Sequence, residues 1–266
     1  QGCAWLDDLA AVGDAKARAC AQAWLAQWIV RFGNGRGLGW TPDLVGRRLI
    51  RWIQHGFFLL RGLEKDESQA FYRSLAQQTI FLSRRWHTSA QGLPRFEALT
   101  GMIYAGLSLQ GMEQHVAPAV KALARDCTRE IDDTGGIPTR NPEELLEVLT
   151  LLTWTTAALT ESGHQPPAAI ATAIARITPT LRALRHADGG LARFHGGGRG
   201  LIGRLDHALA AAGDKTRPSE MLYMGYARLS GGRTSILIDA ATPPTGPASV
   251  NAHASTLALE VTSGRR

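Results

Sequence analysis

From about residue 15 to residue 184, apolar side chains recur at helical spacing. Val45, Leu49, Trp52, Ile53 and Leu60 share one face of a predicted helix. Thr41 is placed to cap that helix and Pro42 to open it. Phe71, Leu75, Gln78 and Leu82 mark the next helix, with Asp66 at its N-cap, and the short connection at Gly62 makes the two antiparallel neighbours. Further helices are predicted over about 94–110, 112–131, 142–161 and 167–184, with breaks at Gly111, at Asp133-Thr134-Gly135-Gly136 and from Gly163 to Pro167. Ile170, Ile174, Ile177, Leu181 and Leu184 form a one-sided stripe, whereas Leu145, Leu146, Val148, Leu149, Leu151, Leu152 and Trp154 nearly encircle theirs. An outer helix and an inner one follow from that contrast. Hairpins of this kind suggest an α/α toroid or solenoid, without a repeated motif of fixed period.

After Leu184 the pattern breaks into Asp188-Gly189-Gly190 and the glycine-rich run from Phe194 to Gly200, followed by a short helix at about 201–212. From Tyr223 the period becomes two. Tyr226, Arg228 and the run Thr234 to Asp239 read as strands joined by a hairpin turn at Ser230 to Arg233, with a last strand at about 256–262. The predicted fold is mainly α: an incomplete α/α toroid over residues 1–215, then the first antiparallel strands of a β-sandwich over 216–266. The final strand has no partner to follow and the chain opens without Met, so both ends read as cuts and any signal peptide lies outside the sequence.

Length and composition narrow the class. At 266 residues and 44% apolar content the chain can bury a sizeable core, and no apolar run is long enough to cross a membrane. Cys3, Cys20 and Cys127 are too few and too scattered for a disulfide framework or a metal motif. The net charge of +6 comes almost wholly from arginine, since lysine occurs only at Lys16, Lys65, Lys121 and Lys215. Guanidinium forks suit carboxylates and sulfates, so this balance suits an acidic polysaccharide, and it equally suits an arginine-favouring genome; no nucleic acid and no membrane span are expected.

Four strings carry a family resemblance: His55 to Gly62, Thr139-Arg140-Asn141-Pro142, Leu184 to Gly189, and Ala252-His253-Ala254-Ser255. Together they resemble the alphaproteobacterial heparinase II/III-like proteins, over about residue 40 to the end. The resemblance implies an α/α toroid followed by a heparinase-type β-domain, location in the cell envelope or periplasm, and β-elimination of uronic-acid-containing glycans. That reaction needs a group to neutralise the uronate carboxylate, a base for the C5 proton and an acid for the leaving oxygen.

Asn141 falls where the resemblance places the carboxylate-neutralising amide. Asn141-Pro142-Glu143-Glu144 is equally a strong helix start, with Glu144 reaching back in a capping box. Arg140, beside a helix N-terminus that favours negative charge, is a candidate anion contact. His186, Arg193 and His195 flank the glycine-rich stretch, where bare backbone could approach a sugar; His195 is the candidate base or acid, and His186 and Arg193 are substrate contacts. The tyrosine that the family carries in a comparable stretch is absent there. His253 matches the second histidine of the family's His-x-His-x-Asp signature, the one able to bind a structural zinc, with Asn251 and Ser255 in the other two places. One histidine makes no zinc site, so further ligands would come from outside this chain.

The leading expectation is therefore a polysaccharide lyase acting on acidic glycans. The alternative is a non-catalytic glycan-binding or cell-envelope protein that keeps the lyase fold. A hydrolase would instead need two carboxylates across a cleft, for which Asp188 with Asp132 or Asp133 are the candidates.

Overall fold

The computed structural model describes residues 1–213, 216 and 221–264. The chain divides into two compact units, one of Gln1–Leu123 with Glu161–Gly163 and one of Ala124–Thr160 with His164–Arg266. The expected boundary at residue 215 falls outside the described residues.

The first unit holds α1 (Trp5–Val12), α2 (Ala15–Phe32), α3 (Pro42–Gln54), α4 (Gly56–Leu60), α5 (Lys65–Arg85) and α6 (Leu93–Ser108), and α7 (Val116–Glu130) begins in it. The apolar stripe read along residues 45–60 is interrupted at His55, so Leu60 belongs to α4 rather than to α3. Thr41 is extended and stands at the N-cap of α3, though its hydroxyl makes no cap bond. α5 begins earlier than Asp66: Glu64 is the N-cap, and a reciprocal capping box joins it to Glu67.

α3 and α6 form the closest packing. A Cβ on Gly101 would stand 2.5 Å from the Gly46 Cα, and one on Gly46 would stand 2.3 Å from the Glu97 carbonyl oxygen. Two glycines thus let the backbones touch where any side chain would hold them apart. Trp52 and Phe71 are buried and stacked, their centroids 5.7 Å apart, and Trp28 meets Trp52 edge-on.

Arg48 on α3 is completely buried. It donates to Gln78 Oε1 and to the carbonyls of Gln1 and Gly39, while its Nη2 has no partner. Its guanidinium carbon lies 4.3 Å from the Trp28 ring centroid and 5.5 Å from that of Trp40. Burial lowers its pKa to about 10.

The second unit holds α8 (Pro142–Glu161), α9 (Ala168–Ala183), α10 (Arg204–Ala212), β1 (Tyr226–Gly231), β2 (Thr234–Asp239) and β3 (Leu259–Ser263). The stripe of Ile170, Ile174, Ile177, Leu181 and Leu184 is buried throughout, as are Leu145, Leu146, Val148, Leu149, Leu151 and Leu152 of α8. The three strands form an antiparallel sheet in the order β1-β2-β3. Its register places Arg228 opposite Leu237 and Leu237 opposite Glu260, and it pairs Tyr226 with Asp239. These residues share the inner face with Thr262. The outer face carries Leu229, Ile236 and Val261 in one row and Ala227, Ile238 and Leu259 in the next; Leu229, Val261 and Leu259 are exposed. The Arg228 guanidinium donates to the carbonyls of Ala183 and Arg185, both at 2.8 Å, and so caps the end of α9.

Candidate functional site

The sequence candidates of the second unit meet on the inner face of the sheet. The loop before α8 turns at Arg140, whose φ of 50° is left-handed. Its side chain donates to the Met224 carbonyl at 3.0 Å, to Thr242 at 2.8 Å, to Gly225 at 3.2 Å and to the Asp239 carboxylate. The Tyr226 hydroxyl returns a bond to the Arg140 carbonyl at 2.6 Å, and the guanidinium lies over the Tyr226 ring. Arg140, Asp239 and Tyr226 are all buried. Arg140 thus spends its fork on the β-hairpin and finds its counter-charge in Asp239.

Asp239 closes β2. Burial pushes its carboxyl up, but hydrogen bonds from Arg140 and Ser255 and the Arg140 charge hold it below the usual carboxylate range. Ser255, standing where the family signature has an acid, donates to Asp239 Oδ2 at 2.7 Å. His195 Nε2 lies 3.2 Å from the same oxygen, off the line of a good hydrogen bond.

His195 itself is almost fully buried and adopts a left-handed φ of 49°. Its Nδ1 accepts from the His253 backbone amide at 3.3 Å, which assigns the neutral ring's proton to Nε2, toward Asp239. Burial first, and the Arg140 charge second, lower its pKa against the pull of Asp239. The ring is neutral at pH 7.

Asn141 is buried, and its Oδ1 accepts from the backbone amides of Glu143 at 2.9 Å and Glu144 at 3.2 Å. It is the N-cap of α8. The capping box expected from Glu144 does not form its side-chain half: that carboxylate accepts from the Thr139 hydroxyl at 2.8 Å. Glu143 Oε2 instead accepts from the Gly198 amide at 2.7 Å and docks the glycine-rich loop on the helix start. A Cβ on Gly197 would lie 2.5 Å from Asn141 Oδ1, so the loop passes too close for any side chain there.

A second cluster joins the loop after α9 to β3. His186 is buried, with Nε2 2.5 Å from Glu260 Oε2 and Nδ1 2.8 Å from the Thr262 hydroxyl. Glu260 Oε1 accepts from the Arg193 amide at 2.9 Å. Burial opposes the ionised Glu260, yet the His186 bond and the Arg193 amide hold its pKa low. The Arg193 side chain is exposed. Asn251 and His253 are exposed, and among the described residues no three His, Cys, Asp or Glu side chains converge as a metal would require. His253 would therefore hold zinc only with ligands from elsewhere.

The structure thus brings Arg140 and His195 together at Asp239, sets Asn141 at the start of α8 against the glycine-rich loop, and sets His186 and Arg193 in the Glu260 cluster. Asp239, Glu260 and Glu143 escaped the sequence reading. Asp239 carried one signal, as an acid closing the otherwise apolar run Ile236-Leu237-Ile238.

Comparison with known proteins agrees with this architecture. Residues 213–266 match the family model described as Heparinase II/III-like, C-terminal. FtsZ-localized protein C of Caulobacter vibrioides is 32% identical over 97% of this chain, which covers 44% of that protein. The crystal structure of heparinase III superposes with a TM-score of 0.77 at 13% identity, over 96% of this chain and 46% of that one. Heparan sulfate lyase HepC from Pedobacter heparinus gives a TM-score of 0.62 at 14% identity, over 100% of this chain and 47% of that one. The chain therefore spans about half the length of the proteins it matches. Residues 213–266 thus resemble the C-terminal region of heparinase II/III-like proteins in sequence, and nearly the whole chain shares the fold of heparinase III: an incomplete α/α toroid followed by the first antiparallel strands of the β-domain.

Proposed function

We propose that this polypeptide serves a non-catalytic protein of the polysaccharide lyase fold, one that binds rather than cleaves and that works at the bacterial division site. The observation that carries this reading is the state of Asn141, where the resemblance places the carboxylate-neutralising amide, and of His195, the candidate base in the glycine-rich loop. Asn141 uses its amide oxygen to cap α8, and His195 is shut away against Asp239 and the His253 backbone. A base for the C5 proton must reach its substrate, and an almost fully buried imidazole does not. Asn251 and Ser255 depart from the family signature in the same direction. Likeness to FtsZ-localized protein C along nearly the whole chain supports the division site and the association with FtsZ.

The test has two arms on the full-length protein. Heparan sulfate, hyaluronan and alginate are incubated with it while the absorbance of unsaturated uronate ends is followed, and a fluorescent fusion is imaged in dividing cells beside labelled FtsZ. No unsaturated product and a mid-cell band dependent on FtsZ are expected. Steady release of unsaturated ends would restore the lyase reading.

A further inference from the structure

We propose that the first unit carries a separate anion site, a groove that takes a short acidic oligosaccharide. Two adjoining clefts of about 400 and 640 Å³ share Gly35, Trp40, Phe81 and Arg85 as a common wall. Each lies within the size range of small-ligand sites, about 300–1,000 Å³. None of the lining residues belongs to the polar centre around Asp239.

The charge balance of the groove is one-sided. Arg84 and Arg85 line it from the end of α5, and Arg36 from the loop between α2 and α3. All three are exposed, and none has an ion-pair partner among the described residues. Asp43 is the sole acid among the lining residues.

Behind the wall lies Arg48, completely buried and without a carboxylate partner among the described residues. Trp40 connects the two, its ring 5.5 Å from the Arg48 guanidinium and 5.2 Å from the Phe81 ring. Asp43 acts on Arg48 through space but no carboxylate is bonded to it, and a buried cation so placed raises the potential of the surface above it, since low-dielectric walls screen it poorly. Arginines in the last turn of α5 offset the helix's own negative end. Arg36 is on no helix, and Arg48 lies within α3, so the α5 dipole accounts for neither.

The lining also selects among anions. Asn34, Gln77, Thr41 and Thr88 offer amides and hydroxyls to sugar hydroxyls, while Trp40, Phe81 and Ile80 supply a small apolar floor. The described part of this unit has no strand, so it offers no sheet edge to an extended peptide. Beside Pro42, Ala90 and Pro94, these three large apolar side chains are too few for the repeated anchors of a docked helix. A saccharide with carboxylate or sulfate groups fits both the arginine rim and the polar lining.

The experiment is calorimetric titration of a heparin-derived hexasaccharide into the full-length protein, repeated with Arg36→Ser, Arg84→Ser and Arg85→Ser combined. The three side chains are exposed, so circular dichroism is expected to show an unchanged fold. Saturable binding is expected, weakened by about ten-fold or more in the triple variant and weakened by added salt. Hexasaccharide should also raise the melting temperature of the parent protein more than that of the variant, because a ligand bound to the folded state stabilises it in proportion to its affinity. No binding, or binding that the triple variant leaves intact, would overturn the site. Tighter binding of a poly-glutamate peptide than of the hexasaccharide would overturn the ligand class. None of these readouts depends on cleavage or on FtsZ, so the groove and the division-site reading stand or fall separately.

Discussion

Arg140 and Asp239 lie 99 residues apart in the chain and meet as a buried ion pair that ties the start of α8 to the end of β2. Removing one charge strands the other without solvent. Asp239→Ala should therefore cost about 3–5 kcal/mol of unfolding free energy, read from the denaturant midpoint. Replacing both residues by apolar ones should cost less than the sum of the single changes, and strictly additive losses would show that the pair is not coupled.

The pH dependence of stability has two windows. His195 is held below its ordinary 6.5, so above that value the ring is neutral both folded and unfolded. Below it the unfolded chain binds a proton that the native ring refuses, and stability falls as pH drops toward the native value. Asp239 and Glu260 are depressed in the fold, so their contributions are complete above the ordinary 3.8 and 4.5 and are lost as pH falls through the native values. His195→Asn keeps an acceptor for the His253 amide, suits the left-handed φ and cannot titrate. Its unfolding curve should lose the slope just below pH 6.5 while keeping the acid limb.

Asn141 divides the structural role from the chemical one. As the N-cap of α8, Asn141→Ala should lower stability by about 1 kcal/mol, while Asn141→Asp or Asn141→Ser should retain most of it. If Asn141→Asp leaves stability intact yet abolishes a measurable glycan-cleaving activity, the amide is engaged with substrate and the non-catalytic reading fails.

Gly101 and Gly46 make a sharper packing test. A methyl group on Gly101 meets the Gly46 backbone at 2.5 Å, and backbone cannot rotate out of the way. Gly101→Ala should destabilise the protein by about 1–3 kcal/mol, the usual cost of overpacking, despite alanine's higher helix propensity. A neutral or stabilising effect in thermal unfolding would mean that α3 and α6 are less tightly apposed.

Much of the fold was legible because periodicity reports burial. The stripe from Ile170 to Leu184 and the hairpin around Ser230 to Arg233 rest on short-range patterns that packing preserves. The break at His55 and the use of Glu64 rather than Asp66 as a cap were less legible, since several local hydrogen-bond choices have similar energies there. Arg140, Asn141 and His195 were singled out from the sequence, but their partners were not. Asp239 is remote in sequence from all three, and only the sheet register brings its carboxylate to Arg140 and His195. A charged residue near a helix start reads as a ligand contact until the internal counter-ion is seen.

The outer face of the sheet sets a practical constraint. Leu229, Ile236 and Val261 line up across three strands beside Ile238 and Leu259, forming an apolar surface that a second sheet of a sandwich would cover. A preparation of these residues alone places that surface in water, where contiguous apolar area drives sticking between molecules. Solubility and monodispersity, rather than folding of the helices, will then decide how this polypeptide is best produced and handled.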